Sequence, residues 1–240
     1  MRLFQILVSA VLLLASCGCS STNISTNIIT DEYQTEYSDI STELLEISYM
    51  NDAEFAKGLN EAAAAALEER LKGFEEDAKA SVNSRPEGAK AEFVTKQQIK
   101  YAKNDFLSVV EEEYSFVGGA HGMTVWKASN IDFRNKKQIY LNDLFADENY
   151  EDVLNNMIDT LLETNKEEYS ELWEHPEIQE EHQYNFYITD DDLVIYFQPY
   201  ELSYYARGFV EFPLRLSELK GYLNEEYYFL FENDLHKDRF

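Results

Sequence analysis

The chain has 240 residues, 45% of them hydrophobic, and sets 20 basic side chains against 46 acidic ones for a formal charge of −26. That balance excludes nucleic acid and anionic lipid headgroups as partners of the folded body and favours cationic ones through long-range attraction. Seventeen tyrosines and 15 phenylalanines exclude an acidic disordered chain, which lacks the apolar surface to fold.

Arg2, the apolar run Leu3 to Ala15 and the small residues after it predict a signal peptide over residues 1–16, too short to span a bilayer as a stable helix. Its end, Leu14-Ala15-Ser16-Cys17, resembles a bacterial lipobox, which makes Cys17 the lipidated first residue of the mature chain. A plain secretory signal is the alternative. The two cysteines of the chain are Cys17 and Cys19, and once Cys17 is lipidated only Cys19 keeps a free thiol, so the body carries no disulfide framework. The small polar run Ser21 to Thr30 reads as a spacer, giving a flexible tether over 17–30.

Asp31 to Met50, rich in Tyr, Ile and Thr, predicts one or two strands. Asn51, with Glu54 as its box partner, caps a long amphipathic helix over roughly 52–80, in which Ala62 to Ala66 permit close approach to a sheet. The breakers Asn83 to Gly88 end it. Ala91 to Phe133 reads as a meander, with Glu111, Glu112 and Glu113 suggesting an edge or a solvent-facing segment. A turn at Asn135 to Lys137 leads to a second helix over roughly 148–164. After an acidic, irregular stretch, Tyr184 to Phe197 forms a hairpin turning at Thr189 to Asp192. Gln198 to Gly208 is a tyrosine-rich loop, and Phe209 to Leu216 a strand that Pro213 consigns to an edge. The expected fold is α+β: two closely packed sub-domains, 31–130 and 131–225, with antiparallel sheets and one helix in each half, followed by an aromatic and charged tail over 226–240.

Several ordered motifs carry a resemblance over about residues 35–225: Gly118-Gly119-Ala120-His121, Asn130-Ile131-Asp132, Leu141 to Phe145, Phe197 to Glu201 and Tyr205-Ala206-Arg207-Gly208. They resemble the extracytoplasmic region of the lysozyme-sensing anti-sigma factor RsiV, found also ahead of the catalytic domain of the peptidoglycan deacetylase PdaC and in stand-alone lipoproteins. The resemblance implies a two-part module that binds a component of the envelope. It does not carry sigma-factor signalling to a chain with an expected lipid anchor in place of a transmembrane helix.

The candidate ligand-binding residues are His121 and Gly119 at the glycine corner and Tyr200, Glu201, Tyr204 and Tyr205 in the tyrosine loop. His121 reads first as a structural corner, then as a ligand contact, and least as a catalytic or metal residue. The loop tyrosines fit either an interface or packing into the junction between the sub-domains. No nucleophile motif is present, the histidines match no zinc spacing, and Asp190 to Asp192 lack a calcium loop's closing glutamate. The expected function is a lipid-anchored envelope module without cofactor, metal or catalysis. It would bind a cationic protein such as lysozyme or a peptidoglycan fragment, and touch the membrane through its anchor only. The alternative is a cell-wall polymer hydrolase using a carboxylate pair.

Overall fold

The computed structural model describes residues 23–231; the signal peptide, Cys17 and the end of the tail lie outside them. The fold is α+β and divides into two units, Met1–Gln98 with Glu111–Trp126, and Ile99–Val110 with Lys127–Phe240. Among the described residues no helix is long and apolar enough to cross a membrane.

In the first unit, β1 (Ile24–Gln34) and β2 (Ser38–Tyr49) form an antiparallel hairpin from Ile24↔Tyr49 to Gln34↔Asp39. Residues 24–30 are therefore strand, not tether. Their isoleucines and threonines favour a pleated backbone, and an edge strand needs no apolar period on its solvated face. Helix α1 (Ala53–Ala80) follows, capped by Asp52, not Asn51: the Asp52 carboxylate accepts from the Phe55 N–H at 3.0 Å. As α1 is a crossover, β3 (Ala91–Lys103) returns parallel to β2, pairing Ser38↔Ala91 through Ser41↔Val94.

Leu67, Phe74 and Ala78 of α1 pack on Ile40, Ala91 and Phe93, with the Phe74 and Phe93 rings 5.1 Å apart. The alanine run approaches no sheet: Ala62 to Ala66 are all exposed. Their contribution is helix propensity, which needs no packing. The strand β4 (Phe106–Phe116) is also not an edge, since it lies between β3 and β5 (Met123–Asp132). Glu111 is buried, and Arg70 of α1 pairs with its carboxylate and, at 2.8 Å, with that of Glu113.

The second unit holds the ends of β3 and β5, the start of β4, and the short β6 (Lys137–Gln138) paired to Ile131 and Asp132. Its separate sheet, in the order β7 (Phe186–Ile188), β8 (Asp192–Phe197), β9 (Val210–Arg215), is antiparallel, and Pro213 sits on the edge strand as expected. Alternate residues, among them Phe186, Ile188, Ile195, Phe197 and Phe212, face a core completed by Leu154 and Ile158 of α2 (Tyr150–Thr164) and by Leu216 and Leu219 of α3 (Leu216–Leu219). Tyr227 and Leu230 join the same core, so the first residues assigned to the tail are structural. Their spacing of three places both on one side of the 3-10 turn Glu225–Phe231.

Candidate functional site

The glycine corner belongs to the first unit. Gly118 and Gly119 take φ of 134° and 98°, a region an L side chain rarely adopts. Gly122 is required by a close approach, because a Cβ there would stand 2.5 Å from the Cζ and hydroxyl of Tyr114. Buried Arg85 braces the corner, donating to the carbonyls of Val117, at 2.8 Å, and Ala78, at 2.9 Å. His121 projects from this braced turn as an exposed side chain, with its Nδ1 2.7 Å from the Gly122 carbonyl oxygen.

The tyrosine loop belongs to the second unit and joins β8 to β9. Glu201 closes its first turn by accepting the Gln198 N–H and donating its own N–H to the Gln198 carbonyl at 3.1 Å. Tyr200 stands at φ 76°, a left-handed conformation unfavourable for a bulky residue, and strain of this kind collects at binding sites. Its ring stacks on Tyr205 with centroids 5.6 Å apart. Gly208 ends the loop at φ 79° and ψ −150°, which is open to glycine alone.

Buried Leu202 and Ser203 tie this loop to residues 168–173: the Leu202 carbonyl accepts the Trp173 N–H at 3.0 Å, and the Ser203 hydroxyl donates to the Glu171 carbonyl at 2.9 Å. Arg207 Nη2 donates to the Glu168 carbonyl at 2.8 Å. Underneath, Tyr169 stacks on Phe212 at 4.9 Å and donates to the Glu211 carbonyl, and burial pushes its phenol up to about 12. Two loops tied in this way over a packed base present Trp173, Tyr200 and Tyr204 at 53%, 46% and 41% exposure.

A hydrogen bond to Glu171 holds the exposed Tyr204 phenol above its ordinary value. Such an array offers flat apolar faces beside fixed acceptors, the combination that stacks on a sugar ring and bonds its hydroxyls. Among the described residues no three His, Cys, Asp or Glu side chains converge to hold a metal ion. The sequence reading singled out Tyr200, Glu201, Tyr204 and Tyr205 but missed Trp173. The available signal was a tryptophan, one of two in the chain, lying in an otherwise polar and acidic stretch.

Residues 31–124 match the family model of deacetylase PdaC, and residues 142–217 that of a protein of unknown function, DUF3298. Peptidoglycan-N-acetylmuramic acid deacetylase PdaC of Bacillus subtilis (strain 168) is 31% identical over 133 residues, covering 54% of this chain and 28% of that enzyme. The chain therefore spans little more than a quarter of the relative's length. Crystal structures of DUF3298-family proteins from Bacteroides fragilis NCTC 9343 and Pseudomonas aeruginosa PAO1 superpose with TM-scores of 0.66 and 0.60, each at 16% identity. They cover 85% and 84% of this chain and 94% and 95% of their own, and share its fold. These matches support a PdaC- and DUF3298-like domain, related to proteins of the cell wall. They also overturn the expectation of a module without catalysis, because the relative and the model matching its first half both carry the name of a deacetylase.

Proposed function

We propose that this chain recognises the glycan of peptidoglycan at the bacterial cell envelope, through the aromatic loop of its second unit. The observation that carries this reading is the exposure of Trp173, Tyr200 and Tyr204 on two loops held to each other by hydrogen bonds. Large aromatic side chains exposed on a rigid support offer contact area to a ligand with little ordering left to be done on binding. The name of the related deacetylase supports a cell-wall glycan as that ligand. In this reading Cys17 carries the lipid that keeps the domain at the membrane surface, next to its substrate polymer.

Cosedimentation of the purified chain with peptidoglycan sacculi tests the proposal. The wild type is expected in the pellet at physiological salt, and a Trp173→Ala/Tyr204→Ala variant in the supernatant. Equal pelleting of the two would overturn it. Acetate release in the same mixture reports whether the bound glycan is also deacetylated. The net charge of −26 favours a second reading, a cationic protein such as lysozyme. That complex would weaken steeply between low and physiological salt, whereas stacking on a glycan would not.

A further inference from the structure

Arg207 is unusual among the five arginines of the described residues. Arg70, Arg134 and Arg215 each pair with carboxylates, and buried Arg85 is surrounded by carbonyl oxygens and the Ser81 hydroxyl. Arg207 donates Nη2 to the Glu168 carbonyl, and its Nε is buried without a hydrogen-bond partner. Arg85 and Arg207 both meet no carboxylate in a chain with more than twice as many acids as bases, but Arg85 is buried and spends its donors on the fold, whereas half-buried Arg207 makes one side-chain hydrogen bond. It lies within the aromatic loop, three residues after exposed Tyr204 and close enough to lower that phenol's affinity for its proton.

We infer that Arg207 is the carboxylate-reading residue of this loop, so that the site selects sugars bearing an acid group over neutral ones; this rests on the glycan reading above. A guanidinium fork matches a carboxylate with two parallel N–H donors; with Nε buried, the pair that Arg207 can offer is Nη1 with the second N–H of Nη2. The stacked and exposed tyrosines beside it supply the apolar face for the ring. The carbonyl bond to Glu168 fixes the direction of the fork before the ligand arrives. The overall negative field repels an anion at a distance, so selection comes from this short contact and not from steering.

Within the glycan strand two groups offer the chemistry: the lactyl carboxylate of muramic acid and the free carboxylate of a peptide attached there. Calorimetric titration of the full chain with three probes separates them. The probes are chitobiose, the N-acetylglucosaminyl-N-acetylmuramic acid disaccharide, and the same disaccharide with its lactyl group amidated by a dipeptide that ends in a carboxylate. Wild type is expected to prefer at least one acidic probe to chitobiose by about tenfold, and whichever is preferred identifies the source. Arg207→Gln is expected to bring that ratio to about one, whatever the lost Glu168 bond does to the absolute affinities, and Arg207→Lys to retain part of the preference. A merely structural arginine would lower all three affinities together, which overturns the inference. Equal binding of all three probes by wild type also overturns it and leaves the glycan reading standing. No binding of any probe removes both.

Discussion

The aromatic ring of Tyr114 lies over the backbone of Gly122, filling the space where a Cβ would stand. Gly122→Ala must therefore displace a ring carried on an interior strand, whereas Gly119→Ala meets nothing within 4 Å and bears only the strain of its φ of 98°. We expect Gly122→Ala to destabilise the fold by about 2 kcal/mol, since the half-buried Tyr114 ring can swing aside in part, and Gly119→Ala by about 1 kcal/mol. Urea denaturation of both variants checks the order. A Gly122→Ala protein as stable as wild type would show that the ring moves freely.

That contrast explains what the sequence could and could not reveal. Helix α1 was legible to within a residue of its ends because its apolar positions recur locally, and the hairpin of β7 and β8 because alternation and turn lie within about a dozen residues. The burial of Glu111 was illegible, since the arginine that neutralises it comes from 41 positions away. Residues 24–30 of β1 were read as spacer because an edge strand's pairing is written in its partner, β2. Four loop residues of the candidate site stood out as tyrosines and a glutamate. Trp173 did not, because its segment is brought alongside by hydrogen bonds from residues about 30 to 40 positions away, to Leu202, Ser203 and Arg207.

Arg70 joins Glu111 and Glu113 at side-chain exposures of 26%, 11% and 15%. Removing the cation leaves two carboxylates side by side with little solvent to screen them. Arg70→Met is expected to destabilise the first unit by about 2–4 kcal/mol, and Arg70→Met/Glu111→Met to recover part of that loss because the buried charge goes with its partner. Chemical denaturation of the two variants measures the recovery. No recovery in the double variant would show that packing, not charge, sets the cost.

Asp132 is fully buried in the second unit, and burial alone would raise its pKa by disfavouring the charged carboxylate. The Arg134 guanidinium, at 2.9 Å, and the N–H groups of Asn135 outweigh burial and hold the carboxyl below its ordinary range. A folded value below the unfolded one means that this group's stabilisation is complete above about pH 4 and is lost as pH falls through the lowered folded value. Asp132→Asn should therefore lower the melting temperature most at neutral pH, with the gap from wild type narrowing as pH falls below about 4. A gap independent of pH would mean that the amide disturbs packing instead of removing a charge.

Tyr200 combines an exposed ring with a strained backbone, and two substitutions separate these properties. Alanine removes the ring and its stack on Tyr205 but leaves a Cβ at φ 76°. Glycine removes the same ring and relieves the backbone, so Tyr200→Gly should be more stable than Tyr200→Ala by about 1 kcal/mol. If the ring is there for a glycan, the two variants lose affinity alike, by roughly tenfold, despite their difference in stability. Thermal unfolding beside glycan titration gives both quantities. Affinity that follows stability would assign Tyr200 to shaping the loop, while affinity lost equally in both variants would assign the ring to the ligand and make the backbone strain the cost of presenting it.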